Sequence, residues 1–431
     1  MRDSVARGLV FFLAAWVGLA PAACGSDDAP ASGAGSGGTA GGSGSAGQAG
    51  RGGGAGSGGS AGTGGAPVDG SGGSNPSGGS GGSNPSGGSA GSSGSGGAAG
   101  SGGAGGSGGS GDSPGPSDLP KPPGSGVPRP TGTPGNLTVL DWAGFKGAAS
   151  YTFDDAQPSH VEHYAELQAA GVPLTFYLNV GGGGENNAAW MRAADDGHEL
   201  ANHTVHHCRA DLTGCGGTPL ASKEAEIDQC SSYIKDHYGQ TVWTMASPFG
   251  DNDWNDPASS RFLLNRGVGG GTIAPRDNSD PFNLPCFAAN GGEAAAPFSG
   301  AIDNARTGGR WVIFLFHSIL PTSQNWYAGV EISSITTSIA HGKSLGDVWI
   351  DTVVKIGAYW RGQKLFSTLT PATSGAETSW SWSLPPHFPP GRYLRVKVDG
   401  GTLKQGGAAL GWDDHGYYEV SLDRGSLTLS P

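Results

Sequence analysis

Between residues 148 and 361, short apolar runs alternate with segments of helical periodicity. AASYTF (148–153), VPLTFYLNV (172–180), HELANH (198–203), TVWTMA (241–246) and WVIFLFH (311–317) predict strands. The last is the most apolar of them, as expected of a strand buried on both faces. A glycine-broken strand is expected over 267–273. The intervening patterns predict helices. One is capped by Ser159, with Glu162 three residues on, and is ended by Gly171. Others are expected at 187–195, 222–238 (ended by Gly239), 259–266, 299–307, 328–341 and 345–361. Repeated β–α alternation predicts a parallel α/β sheet, and this many units predict a distorted (β/α) barrel, closed or nearly so.

The pattern changes on either side of this region. From 362 to 431 only strand signals remain (KLFSTLT, TSWSWSL, RYLRVKV, YYEVSL and SLTLS), separated by Gly/Pro turns, so a small all-β, sandwich-like domain is expected. Its Trp380, Trp382, Tyr393, Trp412, Tyr417 and Tyr418 are read as core, with stacking on sugars as the alternative. Upstream, no aromatic residue stands between Trp16 and Trp142, and 47 of the 83 glycines fall at or before Gly135. Such a segment buries too little apolar area to offset chain entropy. Residues 24–135 are therefore expected to be a disordered Gly/Ser/Pro-rich linker, and 136–361 the barrel domain. The linker contains GGSNPSGGS twice in succession, and its reach is roughly 55–60 Å.

The beginning of the chain reads as an export signal. Arg2 and Arg7 flank a positive start, and LVFFLAAWVGL (9–19) is apolar but too short to span a bilayer. Ala20-Pro21-Ala22-Ala23 then runs into Cys24. This resembles a bacterial lipoprotein processing site, with residues 1–23 removed and Cys24 lipidated to anchor the chain in a membrane. Ordinary cleavage after Ala22 and secretion is the alternative. Four cysteines remain, Cys208, Cys215, Cys230 and Cys286, an even set that permits two disulfides in an exported chain. Cys208–Cys215 is the pair most easily closed locally, which would leave Cys230 with Cys286. None has CxxC spacing, which argues against a thiolate zinc site.

With 24 basic and 36 acidic residues the net charge is −12. An acidic chain gains nothing from a polyanion's field, so nucleic acid is not an expected partner. Gly181–Gly184 lacks a Lys-Ser/Thr and any GxGxxG pattern, so no nucleotide site is expected either. Ser247 and Ser318 lack a nucleophile elbow.

Candidate chemistry gathers just past strand C-termini, the face on which barrel enzymes carry their sites. Asp154-Asp155 follows the first strand and His203-Thr204-Val205-His206-His207 the third. Pro248-Phe249-Gly250-Asp251 follows the fourth, and His317 ends WVIFLFH. A His-x-x-x-His pair can bind one ion, and two histidines with one carboxylate form a recurrent zinc set that leaves a position open for water.

Thr152-Phe153-Asp154-Asp155, His203-Thr204-Val205-His206-His207 and Leu315-Phe316-His317 resemble, in order, three motifs of the NodB-homology polysaccharide deacetylases, carbohydrate esterase family four. The resemblance covers about residues 145–345. It implies that Asp154 is the general base and that Asp155, His203 and His207 ligate Zn2+ or another divalent ion such as Co2+ or Ni2+. It also implies that the ion and the Phe249 N–H, after Pro248, stabilise the oxyanion, that His317 protonates the leaving group, and that Leu315 lines the acetyl pocket. His206 is spare. The family's Arg before Pro-[Tyr/Phe]-Gly is here Ala246. Asp251, Asp253 and Trp254 are expected to rebuild that wall of the site, Trp254 as a substrate-binding residue, with Arg276 as a surrogate cation.

The function so implied is metal-dependent removal of acetyl groups, most readily N-acetyl groups of an amino-sugar polymer, from an acetylated polysaccharide outside the cytoplasm. The alternatives are an acetylxylan-type O-deacetylase and a non-catalytic carbohydrate-binding lipoprotein.

Overall fold

A computed structural model describes residues 117–431. The expected signal segment, Cys24 and the linker as far as residue 116 lie outside the described residues. In chain order, β1 (Thr138–Val139) precedes β2 (Gly147–Asp154). Helices α1 (Pro158–Glu162) and α2 (Tyr164–Ala169) lead to β3 (Thr175–Leu178). Then come α3 (Ala188–Asp195), β4 (Glu199–Asn202), α4 (Lys223–Tyr238) and β5 (Thr244–Ala246). Helix α5 (Asn255–Ser259) is followed by β6 (Leu264–Arg266), β7 (Phe287–Ala288), α6 (Ala295–Gly308) and β8 (Trp311–Phe316). The short strands β9 (Ile319–Leu320) and β10 (Val330–Glu331) pair with each other. Then α7 (Ile332–Leu345), β11 (Val348–Ile350) and α8 (Val353–Ser367) complete this half.

The eight strands from β2 to β8, with β11, form one parallel sheet in the order β6-β5-β4-β3-β2-β8-β7. Strand β2 is long enough to hold β11 along Gly147–Ala149 and β3 along Thr152–Asp154. The sheet curls until its ends meet. Leu284, just before β7, bridges Arg266 of β6 and exchanges backbone hydrogen bonds with Asn265 and Gly267. The expected near-closed barrel is thus formed. Alternate residues of β8 feed two cores: Val312, Phe314 and Phe316 pack outward under the helices, while Trp311, Ile313 and Leu315 pack inward.

Several local expectations are corrected. Residues 259–266 are not a helix, because α5 ends at Ser259 and Leu264–Arg266 is a strand. The expected strand over 267–273 reduces to a single bridge from Ile273 to Trp311. Ser159 does not cap α1. It is buried inside the helix, where its Oγ accepts the Ile319 N–H at 3.0 Å. KLFSTLT begins as helix, since α8 runs to Ser367 with Phe366 in the core.

Downstream lie β12 (Ala372–Ser374), β13 (Glu377–Ser381), β14 (Tyr393–Lys397), β15 (Thr402–Gln405), β16 (Ala408–Ala409), β17 (Trp412–Asp413), β18 (Tyr417–Ser421) and β19 (Ser426–Ser430). They make two antiparallel sheets, β1-β14-β18-β17 and β12-β13-β19-β15-β16. The edge strand β1 comes from upstream of the barrel, so the boundary expected at 361/362 is crossed by the chain. The end of the expected linker is ordered as well. The Val127 N–H donates to the Asp414 carbonyl at 2.8 Å, and Lys121 pairs with Asp413. Arg395, fully buried, donates to the carbonyls of Leu119, Pro120 and Ala143 and to Glu419. The proline-rich run 117–134 is stiff before it docks, so fixing it costs little entropy. Trp380, Trp382, Tyr417 and Tyr418 are buried, which is the core reading. No helix among the described residues is long and apolar enough to cross a membrane.

Candidate active site

The strand ends bring the expected residues to one rim. Asp154 is the last residue of β2 and Asp155 follows it. His203 follows β4, and His317 follows β8. The backbone around them is bent into unusual shapes. Of eleven non-glycine residues with positive φ among those described, five are here: Asp155, Ala156, Thr204, His207 and Phe249. Each such residue costs on the order of 1–3 kcal/mol and persists only where surrounding contacts over-determine it.

Asp155, His203 and His207 come together as a cluster able to hold a metal ion. Asp155 Oδ1 lies 3.3 Å from His203 Nε2 and 3.4 Å from His207 Nε2. One ligand atom from each of the three falls within 4.8 Å of the others. His203 Nδ1 donates to the Ala246 carbonyl at 2.8 Å, which fixes the tautomer and leaves Nε2 for an ion. Gln157 Nε2 steadies Asp155 Oδ2 at 3.1 Å, while Oδ1 is buried with no hydrogen-bond partner. Burial alone would raise the Asp155 pKa, but the adjacent His203 imidazole, with His207 and His317 behind it, holds it well below the usual carboxylate range. Burial, reinforced by His203, pushes His207 down to about 4. His203 is raised: burial opposes its charge, and Asp154 and Asp155 outweigh that. Two imidazoles and an orphaned carboxylate oxygen facing one centre fit a divalent transition ion such as Zn2+, Co2+ or Ni2+.

The loop carrying His207 is tied down by Glu226 of α4, a buried residue with no signal in the motif. Its carboxylate accepts the N–H groups of Val205 (3.0 Å), His206 (2.8 Å) and Leu220 (2.9 Å), and binds His206 Nδ1 at 2.9 Å. His206 is thereby engaged by Glu226 rather than by the Asp155–His203–His207 cluster. Cys208 and Cys215 form a disulfide that closes the loop directly after His207. The second expected bridge is not made. Cys230 packs in the outer core and Cys286 in the inner one, on opposite faces of the sheet.

Asp154 is 3 % exposed and its Oδ2 accepts from the Arg266 guanidinium, itself wholly buried. Arg266 is the last residue of β6, and its register partner on β5 is Ala246. The guanidinium absent from position 246 is thus supplied from the adjacent strand, one hydrogen-bond spacing away. Burial opposes its charge, yet the Asp154 carboxylate more than restores it, and the Arg266 pKa lies above the ordinary arginine value. Its plane lies over the Tyr177 ring at 5.3 Å. Arg276 is not the surrogate. It pairs with Asp141 at 2.7 Å, with both side chains about half exposed. Asp251 helps in another way, accepting the N–H groups of Ala210 (2.9 Å) and Asp253 (3.0 Å) and so pinning the loop beyond His207. Trp254 is fully buried in the outer core and offers no accessible face, contrary to its expected substrate-binding role.

His317 closes the far side. Its carbonyl accepts from His160 Nε2 at 2.7 Å, and its ring meets Tyr327 edge-on at 4.8 Å. Burial lowers its pKa, against the pull of Asp154 and Asp155. Leu315 points into the barrel beneath. Pro248 is buried, whereas Phe249 (φ 57°) is 46 % exposed with its ring 4.5 Å from His207.

Residues 145–261 match the sequence profile of the family described as polysaccharide deacetylase, and the chain carries a polysaccharide deacetylase domain of the NodB type. Arg266 and His317 lie beyond the matched stretch and are placed by the fold. The chain is 28% identical over 100 residues to a protein of Arthroderma benhamiae named "Probable peptidoglycan-N-acetylglucosamine deacetylase". That likeness covers 22% of this chain and 22% of the relative, so the chain spans about a fifth of that protein's length. Two solved structures are similar at low identity. One is a family 4 acetyl xylan esterase from Clostridium thermocellum in complex with a cobalt ion (18% identity, 48% of this chain and 89% of that one, TM-score 0.32). The other is a family 4 carbohydrate esterase from Streptomyces lividans in complex with acetate (16% identity, 48% and 92%, TM-score 0.33).

Proposed function

We propose that this protein is a metal-dependent deacetylase that hydrolyses N-acetyl groups of an amino-sugar polymer. The observation that carries the reading is the convergence of Asp155, His203 and His207 beside an Asp154–Arg266 pair and His317 on one barrel rim. A divalent ion held by the three ligands would polarise the acetyl carbonyl and acidify water. Asp154, aimed by Arg266, takes the proton of the attacking water. The N–H of Phe249, a residue with left-handed backbone beside His207, would stabilise the developing oxyanion. The proton that Asp154 draws from the attacking water passes through His317, whose pKa burial lowers, to the leaving nitrogen as the C–N bond breaks. An amine leaves poorly unless protonated, so an acid at this place suits an amide.

The same reading places the protein outside the cytoplasm, anchored through Cys24. The Cys208–Cys215 disulfide supports export, since such bonds persist in oxidising compartments. Mass analysis of the mature protein checks the anchor: a lipidated N-terminal Cys24 is expected, and an unmodified chain beginning at Ala23 contradicts it. For the activity, acetate release by the zinc-loaded full chain is measured on chitohexaose and on acetylated xylan, with Asp154→Ala alongside. Release from chitohexaose that is lost in Asp154→Ala is expected. Release from acetylated xylan alone would make it an O-deacetylase, and sugar binding without release from either substrate would make it a carbohydrate-binding protein.

A further inference from the structure

Among the described residues, the large apolar side chains left exposed are Val127, Met191, Phe249, Trp326 and Tyr327. Trp326 and Tyr327, at 51 % and 58 %, are the most exposed of these; the Tyr327 ring meets His317, and the backbone N–H of its neighbour Trp326 is held by Ser318, the residue after His317. Phe249 stands across the site beside His207. Aromatic rings open to water on both sides of a reaction centre have a physical cost, and in a stable fold they mark a surface that something covers.

The loop bearing Trp326 and Tyr327 holds them there through buried anchors. Ser318 Oγ, fully buried, accepts the N–H groups of Trp326 (2.9 Å) and Tyr327 (3.2 Å). The same hydroxyl donates to Gln157 Oε1 at 2.6 Å, and Gln157 in turn steadies the ligand Asp155. Further along the loop, the Thr322 and Ser323 hydroxyls donate to the Glu162 carboxylate at 2.6 and 2.9 Å. The backbone that carries the two rings is therefore tied to Asp155 by a continuous hydrogen-bonded chain, so a ligand need not order the loop to use them.

Resting on the deacetylase reading, we infer that Trp326 and Tyr327 form a platform for the pyranose ring next to the one that loses its acetyl group. A pyranose presents a face of C–H groups that packs on an aromatic face, with hydroxyls left at the rim for water. Rings beside the reaction centre add contact area only for a substrate longer than one sugar. The platform thus selects a polymer over an acetylated monosaccharide or a simple acetyl ester. Tyr327 also borders His317, so Trp326 is the cleaner probe.

The test uses the zinc-loaded full chain and its Trp326→Ala and Trp326→Phe variants, with two readouts. First, kcat/KM is compared on chitohexaose and on 4-nitrophenyl acetate. Trp326→Ala should lower the chitohexaose value relative to the ester value by about tenfold, through KM, the effect of uncovering roughly half of an aromatic side chain. Trp326→Phe should recover most of it. Second, chitohexaose binding to an Asp154→Ala background is followed by calorimetry, where adding Trp326→Ala should weaken Kd by a similar factor. Equal losses on both substrates, or no change in either readout, overturn the platform. Binding that depends on Trp326 without acetate release sinks the deacetylase reading and leaves the platform standing. Ester hydrolysis with no binding of chitohexaose does the reverse.

Discussion

Arg266 is the residue on which the catalytic reading leans most. It is the only arginine or lysine paired with the Asp154 carboxylate among the described residues, and both are shielded from water. Truncation in Arg266→Ala leaves a buried carboxylate without its partner, a change that costs on the order of 3–5 kcal/mol of stability and misaims the base. Activity should fall roughly 100-fold or more, with Arg266→Lys recovering only part because a single ammonium cannot reproduce the fork. Acetate release together with a urea unfolding curve checks both; an Arg266→Ala enzyme with near-normal kcat would contradict the role. Asp154, Asp155, His203, His207 and His317 were legible from sequence because each belongs to a contiguous motif at a strand end. Arg266 was not. It stands 20 positions after Ala246, and only the β5–β6 register makes the two neighbours. Its strand is three residues long, too short to show alternation, inside a stretch (259–266) whose composition favours helix.

At the scale of elements, the turn after β4 is held from two sides, by Glu226 of α4 and by the Cys208–Cys215 loop. Glu226→Gln keeps the shape but loses the charge-assisted bonds to three N–H groups, so His207 is less well placed. Zinc affinity should drop about 10- to 100-fold, as for other partners of metal ligands, and calorimetric titration measures it. Replacing both cysteines by serine should cost about 2.5 kcal/mol, given the short loop closed, as read from the denaturation midpoint. The turn itself was visible in the sequence as His203–His207, and the local pairing of the two cysteines as the easiest closure. Glu226 was not visible, because one acid among the polar positions of a long helix carries no mark of burial.

The whole molecule joins barrel and sandwich through a common inner core. Val353, Ile356 and Trp360 of α8 belong to the same cluster as Leu394, Val396, Val420 and Leu422. The sequence showed two halves, but not that β1 and residues 117–135 bind the second one, since a proline- and glycine-rich stretch looks alike whether docked or free. A chain beginning at residue 136 loses two of the carbonyls that satisfy Arg395, and should melt several degrees below one beginning at 117. Acid should also weaken the fold. Burial holds His160 and His198 down at about 4. Both stay neutral in the fold while the unfolded chain protonates near 6.5, so their contribution is intact above that pH. It is lost as pH falls from 6.5 towards 4, at up to about 1.4 kcal/mol per pH unit for each. Equal melting temperatures at pH 7 and pH 5 would refute this. The central claim, that Asp155, His203 and His207 hold one ion that the reaction requires, is tested most directly by titrating zinc into the chelator-stripped full chain while following acetate release from chitohexaose. The rate should rise from zero and level off at one ion per chain, with Asp155→Ala giving no such break. Undiminished release from the stripped protein, or the same one-ion break in Asp155→Ala, would contradict it.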